Sequence, residues 1–109
     1  MKPTEVVVVD DGSSDGTFEA ANAEAANMNG IELRVFRTEG NLGAGAARNR
    51  AIEVTTGAYL AFLDADDEWL PEKLSEQLAH LQATGASFGY CGFWRIIRGQ
   101  RRRDCRMGV

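Results

Sequence analysis

Four aspartates in two short runs carry the chemistry open to this chain. Asp64 and Asp66 stand one residue apart in Y-L-A-F-L-D-A-D-D-E-W-L, residues 59–70. At that spacing both carboxylates can turn into one crevice. Hard oxygen donors suit Mg²⁺ or Mn²⁺, which one or two carboxylates commonly share with substrate phosphates. Asp10 and Asp11 open an earlier acidic loop, D-D-G-S-S-D-G-T, residues 10–17. Asp67 and Glu68 read more simply as the acidic first turn of a helix beginning near Pro71, where carboxylates meet the positive end of the dipole. That reading is open to Asp64 and Asp66 as well, but the second acidic loop favours a site.

Both aspartate runs follow apolar segments that read as strands. Glu5 to Val9 is a β-branched run, and Tyr59 to Leu63 is an apolar run after Gly57. Each reads as a strand buried on both faces, as in a parallel sheet. Ligands of open α/β sheets bind in the crevice at the carboxyl ends of strands. The two acidic loops are therefore expected on one rim. Between them come a helix to about Met28, stopped by Asn29-Gly30, and an alternating strand from Ile31 to Arg37. A glycine-rich loop from Thr38 then enters a helix running to about Val54. Its spacing is neither G-x-G-x-x-G nor a P-loop. Such a loop can present backbone N–H groups to phosphate, or be a simple turn. Arg48 and Arg50 read either as anion contacts or as a solvated helix face.

Beyond the aspartates, Pro71 opens a helix that Thr84-Gly85 ends. Its Leu74, Leu78 and Leu81 form a stripe suited to packing onto the sheet. His80, the only histidine, reads as an ordinary helix residue. Ser87 to Ile97 alternates as a strand. The order β-α-β-α-β-α-β predicts a three-layer α/β/α sandwich with a mostly parallel sheet, as one domain over residues 1–109.

The chain has 109 residues, 44% hydrophobic and 26% charged, which fits one small soluble domain. Its net charge of −4 argues against whole-surface binding of nucleic acid. No apolar run is long enough to span a membrane, and M-K-P-T-E does not open a signal peptide. Cys91 and Cys105 make no metal pattern. Cys91 reads as a buried thiol, which places the chain in the reducing cytoplasm. The end is basic. Arg95, Arg98, Arg101, Arg102, Arg103 and Arg106 could hold a lipid head group in peripheral membrane contact, a pyrophosphate or nucleic acid. No aromatics interleave beyond Trp94, so a hairpin arm or a solvated tail over residues 98–109 is the simpler reading.

Three segments, in order, resemble inverting glycosyltransferase family 2, of the Rossmann-like GT-A fold. They are V-V-V-V-D-D-G-S-S-D-G-T, N-L-G-A-G-A-A-R-N-R-A-I and G-A-Y-L-A-F-L-D-A-D-D-E-W-L-P-E-K-L, and they span about Glu5 to Leu81. The resemblance implies a nucleotide-diphosphate sugar donor and a divalent ion, Mn²⁺ or Mg²⁺. It implies that Asp11 contacts the nucleotide base, with Asp10 supporting the loop or sharing that contact. Asp64 and Asp66 would handle the ribose and the ion on the diphosphate. Gly43, Arg48 and Asn49 would lie near base and phosphates. A UDP-sugar is the commonest donor so implied, with GDP- and dTDP-sugars as alternatives.

Two departures from the family pattern shape the expectation. The family begins with an earlier strand, a P-x-Y-N-like loop and a helix; here Met1 to Thr4 precede the first strand. It also continues into an acceptor-binding half that carries the general base, for which no residue here is a match. An incomplete GT-A domain with little or no transferase activity alone is implied. The family's first strand lies between the two acidic-loop strands. Without it, each of these would present unpaired N–H and C=O groups. The two could pair directly, the Ser87–Ile97 segment could fill the gap, or a second copy could pair in as a homodimer. A rival from another class is a non-catalytic nucleotide-binding or protein-interaction α/β module. A phosphatase with an aspartate nucleophile is a third reading, weakened by the lack of a lysine in a matching loop.

Overall fold

The computed structural model describes residues 1–97 and 99–103. Arg98, Cys105 and Arg106 of the basic end lie outside the described residues. The chain divides into two compact units, Lys2–Phe62 and the segment from Leu63 onward, which Met1 joins.

The first unit holds β1 (Glu5–Asp10), α1 (Thr17–Ala23), a 3₁₀ turn (Glu24–Asn27), β2 (Glu32–Arg37) and α2 (Ala44–Val54). β1 and β2 run parallel, in register from Glu5 opposite Glu32 to Asp10 opposite Arg37. The helix expected to reach Met28 keeps α-geometry only to Ala23 and then tightens into the 3₁₀ turn. Side chains alternate along each strand. Val6, Val8, Asp10, Leu33, Val35 and Arg37 share one face, where Arg37 lies 4.9 Å from the Phe18 ring centroid of α1. Glu5, Val7, Val9, Arg34 and Phe36 share the other, where Arg50 of α2 lies 5.3 Å from the Phe36 ring centroid. α1 and α2 therefore cover opposite faces of the two strands. The unit is a three-layer α/β/α arrangement in miniature.

Polar contacts hold it. Among the described residues no hydrophobic side chain is buried, and Asp10 is the buried residue. At the start of the ladder, Glu5 Oε1 accepts from Thr56 N–H at 2.6 Å, Gly57 N–H at 3.0 Å and the Thr56 hydroxyl at 3.1 Å. Its Oε2 pairs with Arg34 Nη2, which also donates to the Val54 carbonyl at 2.6 Å. One carboxylate thus joins the start of β1, the middle of β2 and the exit from α2.

The strand expected at Tyr59 to Leu63 is not formed. Residues 59–63 have irregular backbone, and Tyr59 and Phe62 are 58% and 54% exposed. β-Propensity places a residue on a pleated surface only where a neighbouring strand completes that surface. The sheet of this unit is β1–β2 alone, so the direct pairing of the two acidic-loop strands is not made.

In the second unit, α3 (Lys73–Thr84) is closed by Gly85 at φ 69°, whose N–H bonds the Leu81 carbonyl at 2.9 Å. Leu74, Leu78 and Leu81 are half-buried. Leu81 lies over Gly89, where a Cβ would fall 3.3 Å from its methyl carbon. The strand expected over Ser87–Ile97 is shortened to β3 (Trp94–Ile97), antiparallel to β4 (Gln100–Arg103). Gly89 and Gly92 in its first half weaken an extended run. Cys91, expected to be buried, is half-exposed. Among the described residues no helix is long and apolar enough to cross a membrane.

The contacts of Glu5 make stability pH-dependent. Its carboxyl is lowered from 4.5 to about 2, first by the Thr56 N–H and then by Arg34. A carboxyl depressed in the folded state contributes fully above its unfolded value and loses that contribution as pH falls through the folded one. Thermal melts followed by circular dichroism should show Tm falling as pH drops from about 4.5 towards 2. Glu5→Gln should lower Tm by several degrees at neutral pH and flatten that acid slope. An unchanged profile in the variant would refute the assignment.

Candidate functional site

The sequence-derived site residues fall into two clusters, one in each unit. In the first, Asp10 closes β1 and turns inward. Its Oδ1 accepts from Ser13 N–H at 3.1 Å, and its Oδ2 from the Ser13 hydroxyl at 2.8 Å and Arg37 Nε at 3.1 Å. Arg37 Nη2 also donates to the Ser13 carbonyl at 2.7 Å. The Ser13 hydroxyl, then its N–H and Arg37, hold the Asp10 carboxyl below the usual carboxylate range. Asp10 thereby shapes the turn that carries Asp11.

Asp11 reaches across to the glycine-rich loop. Its Oδ2 accepts from Gly43 N–H at 2.7 Å, and its Oδ1 from Leu42 N–H at 2.9 Å. Thr38 Oγ1 lies 2.7 Å from Asp11 Oδ1 and 2.8 Å from the Gly40 carbonyl, so its one proton serves either acceptor. Gly43 is the N-cap of α2, with φ 97° and no side chain of its own to cap the helix. Asp11 instead binds the two N–H groups just before the first turn, placing a carboxylate near the positive end of the helix dipole. The Thr38 hydroxyl, then the Leu42 and Gly43 N–H groups, depress its pKa. Gly12 permits the approach. It has φ 79°, and a Cβ there would fall 3.0 Å from the Gly40 carbonyl carbon and oxygen. The structure thus brings Asp11 and Gly43 together. Arg48 and Asn49 lie further along α2, both exposed.

The second cluster is the acidic turn. Asp67 N–H donates to the Asp64 carbonyl at 3.1 Å, which folds residues 64–67 back on themselves. Asp64, Asp66 and Asp67 each offer a carboxylate oxygen, all within 4.8 Å of one another, and all three residues are exposed. The donor set is hard oxygen throughout and fits Mg²⁺ or Mn²⁺. Asp67 is the correction. α3 begins only at Lys73, so Asp67 and Glu68 precede its first turn, and Asp67 belongs with the cluster. Nearby in the chain, Lys73 Nζ lies 4.1 Å from the Trp69 ring centroid, and burial pulls its pKa down.

Thr38 and Arg37 are not among the sequence-derived candidates, and Asp67 is there only as a helix-turn acid. Arg37 was legible as a charge on the inward face of an alternating strand. Asp67 was legible as a third carboxylate beside the pair. Thr38 carried no signal.

Comparisons with known proteins give the family of the chain. The profile described as Glycosyl transferase family 2 matches residues 1–106, and the chain belongs to that family. Its fold is accordingly of the GT-A class. It is 37% identical over 81 residues to the amylovoran biosynthesis glycosyltransferase AmsB of Erwinia amylovora, covering 74% of this chain and 27% of AmsB. It is 32% identical over 95 residues to WfaP of Escherichia coli, a UDP-Glc:alpha-D-GlcNAc-diphosphoundecaprenol beta-1,3-glucosyltransferase, covering 85% and 36%. It is 46% identical over 67 residues to the uncharacterized glycosyltransferase YibD of Escherichia coli K12, covering 62% and 19%. The chain thus spans roughly a third or less of these relatives' lengths. No solved structure matches it.

The Asp11 clasp can be read directly by NMR. The amide resonances of Leu42 and Gly43 should titrate together, with a midpoint below the ordinary aspartate value of 3.8. Asp11→Ala should abolish that titration and lower Tm, because two N–H groups lose their acceptor. Independent titration of the two amides would refute a shared carboxylate.

Proposed function

We propose that the chain binds a nucleotide-diphosphate sugar, with its 109 residues acting as one partial donor-binding domain of a glycosyltransferase. The observation that carries this reading is the Asp11 carboxylate fastened to the N-terminus of α2. It fixes the acidic loop against the glycine-rich loop, and membership of the family supports a nucleotide-sugar donor as their ligand. Asp11 Oδ2, which accepts from Gly43 N–H alone among the hydrogen bonds of the described residues, would take a further donor from the base, while Asp10 holds the loop's shape. Arg48 and Asn49 carry cationic and amide groups on the helix that Gly43 opens. A UDP-sugar is the first donor to test, since the name of WfaP gives UDP-Glc as its donor.

Asp64 and Asp66, with Asp67 beside them, would hold Mn²⁺ or Mg²⁺. When bound, such an ion offsets charge building on the diphosphate leaving group. In the full reaction an acceptor hydroxyl displaces the nucleoside diphosphate at the anomeric carbon. No residue of this chain is assigned as the base, and little or no transfer by the chain alone is expected. A cytoplasmic location is part of this reading. A second reading, an interaction module that self-associates as a homodimer, is favoured by the exposed apolar residues 59–63.

Calorimetric titration with UDP and with GDP, in Mn²⁺ and then in EDTA, tests the leading reading. UDP binding should require Mn²⁺. Asp66→Asn should weaken it about tenfold or more, roughly 1.4 kcal/mol. A folded sample that binds neither nucleotide under any condition would overturn the donor-binding reading and promote the interaction module.

A further inference from the structure

Thr38 stands directly after β2, half-buried, in the same unit as Asp11. Its N–H is fixed by the Asp10 carbonyl at 2.9 Å, so the end of the ladder carries its side chain. The hydroxyl lies between two acceptors, Asp11 Oδ1 at 2.7 Å and the Gly40 carbonyl at 2.8 Å. One proton cannot serve both in full. Asp11 is held below the usual carboxylate range and stays ionised. A hydrogen bond to an ionised acceptor is roughly twice as strong as one between neutral groups. The proton therefore favours Asp11.

An ionised carboxylate offers about two lone-pair places on each oxygen. Oδ1 takes the Thr38 hydroxyl and the Leu42 N–H at 2.9 Å, which fills both of its places. Oδ2 takes the Gly43 N–H at 2.7 Å and, among the hydrogen bonds of the described residues, nothing else. The place that is left is on Oδ2.

We propose that Thr38 is a positioning residue for the nucleotide base: by completing Oδ1, its hydroxyl makes Oδ2 the single oxygen of Asp11 that receives an N–H of the base. The proposal rests on the donor-binding reading above and assigns the base that fits it. Uracil presents one N–H, on the ring between two carbonyls. Guanine presents two side by side, one from the ring and one from the amino group. A carboxylate meets both only when both its oxygens are open. With Oδ1 complete, one guanine N–H goes without an acceptor, and an unmet donor in a closed contact is costly. Cytosine has no ring N–H and would turn a bare nitrogen towards the carboxylate. Leu42 and Gly43 contribute through backbone N–H groups, which almost any residue would supply. Thr38 contributes through its side chain, so it is the position at which a substitution changes the choice of base.

Calorimetric titration of the full chain with UDP, CDP and GDP in Mn²⁺, on the wild type, Thr38→Val and Thr38→Ser, tests this. The wild type should bind UDP about tenfold or more tighter than CDP or GDP. Thr38→Val keeps the size of the side chain and removes the donor. It should bring UDP to within about threefold of GDP. Thr38→Ser keeps the hydroxyl and should keep the preference. The shared titration of the Leu42 and Gly43 amides should move to higher pH in Thr38→Val and return in Thr38→Ser, because the hydroxyl is the first cause of the lowered Asp11 pKa. A role in the scaffold alone would weaken UDP and GDP alike, and that result overturns the proposal. An unchanged preference in Thr38→Val overturns it too. If the valine variant fails to fold, the wild type decides through UDP against CDP, and equal binding of the two overturns the proposal. A folded wild type that binds all three without preference overturns this proposal alone. One that binds none of them overturns the donor-binding reading as well.

Discussion

Two carboxylate–arginine pairs, one at each end of β1, hold the parallel ladder on which the first unit depends. Glu5 engages Arg34 and the backbone after α2; Asp10 engages Arg37 and the turn before α1. A parallel pair of strands gains little by itself, and with no hydrophobic side chain buried among the described residues the apolar contribution is thin. Ion pairs at a surface are worth little singly. These differ because each carboxylate also accepts backbone N–H donors, two at Glu5 and one at Asp10. The ladder, both helices and both loop exits meet at these four side chains.

The acidic and glycine-rich loops inherit that support. Asp10 faces inward and keeps the acidic turn in shape; Asp11, its neighbour, faces the start of α2. Adjacent residues of an extended chain point opposite ways, so D-D at a strand end divides naturally into one structural and one outward carboxylate. Gly12 then lets the two loops approach within a distance that a methyl group would close.

Local pattern made much of this legible in the sequence. β1, β2, α2 and α3 lie within a few residues of where periodicity, capping and glycine placed them. α3 ends at the Gly85 that the chemistry of helix C-termini requires. What was not legible was partnership. Tyr59 to Leu63 has strand composition, but a strand exists only beside another, and no residue within the segment reports whether a neighbour is there. The Asp11–Gly43 bond spans 32 positions, beyond any local pattern. Asp67 was read as a helix-turn acid because α3 was expected to begin sooner than Lys73.

The sequence separation of these contacts sets an order of events in time. Glu5 bonds Thr56 and Gly57 across 51 and 52 positions, and Asp10 bonds Arg37 across 27. Such contacts cannot form until the intervening chain exists and its loop has closed. At about 5–20 residues per second on the ribosome, β1 would wait a second or more for β2 to emerge. During that interval a run of four valines stands with the edge that β2 will take still open. The stretch of chain that organises the finished unit is thus also its most adhesive part while it is being made.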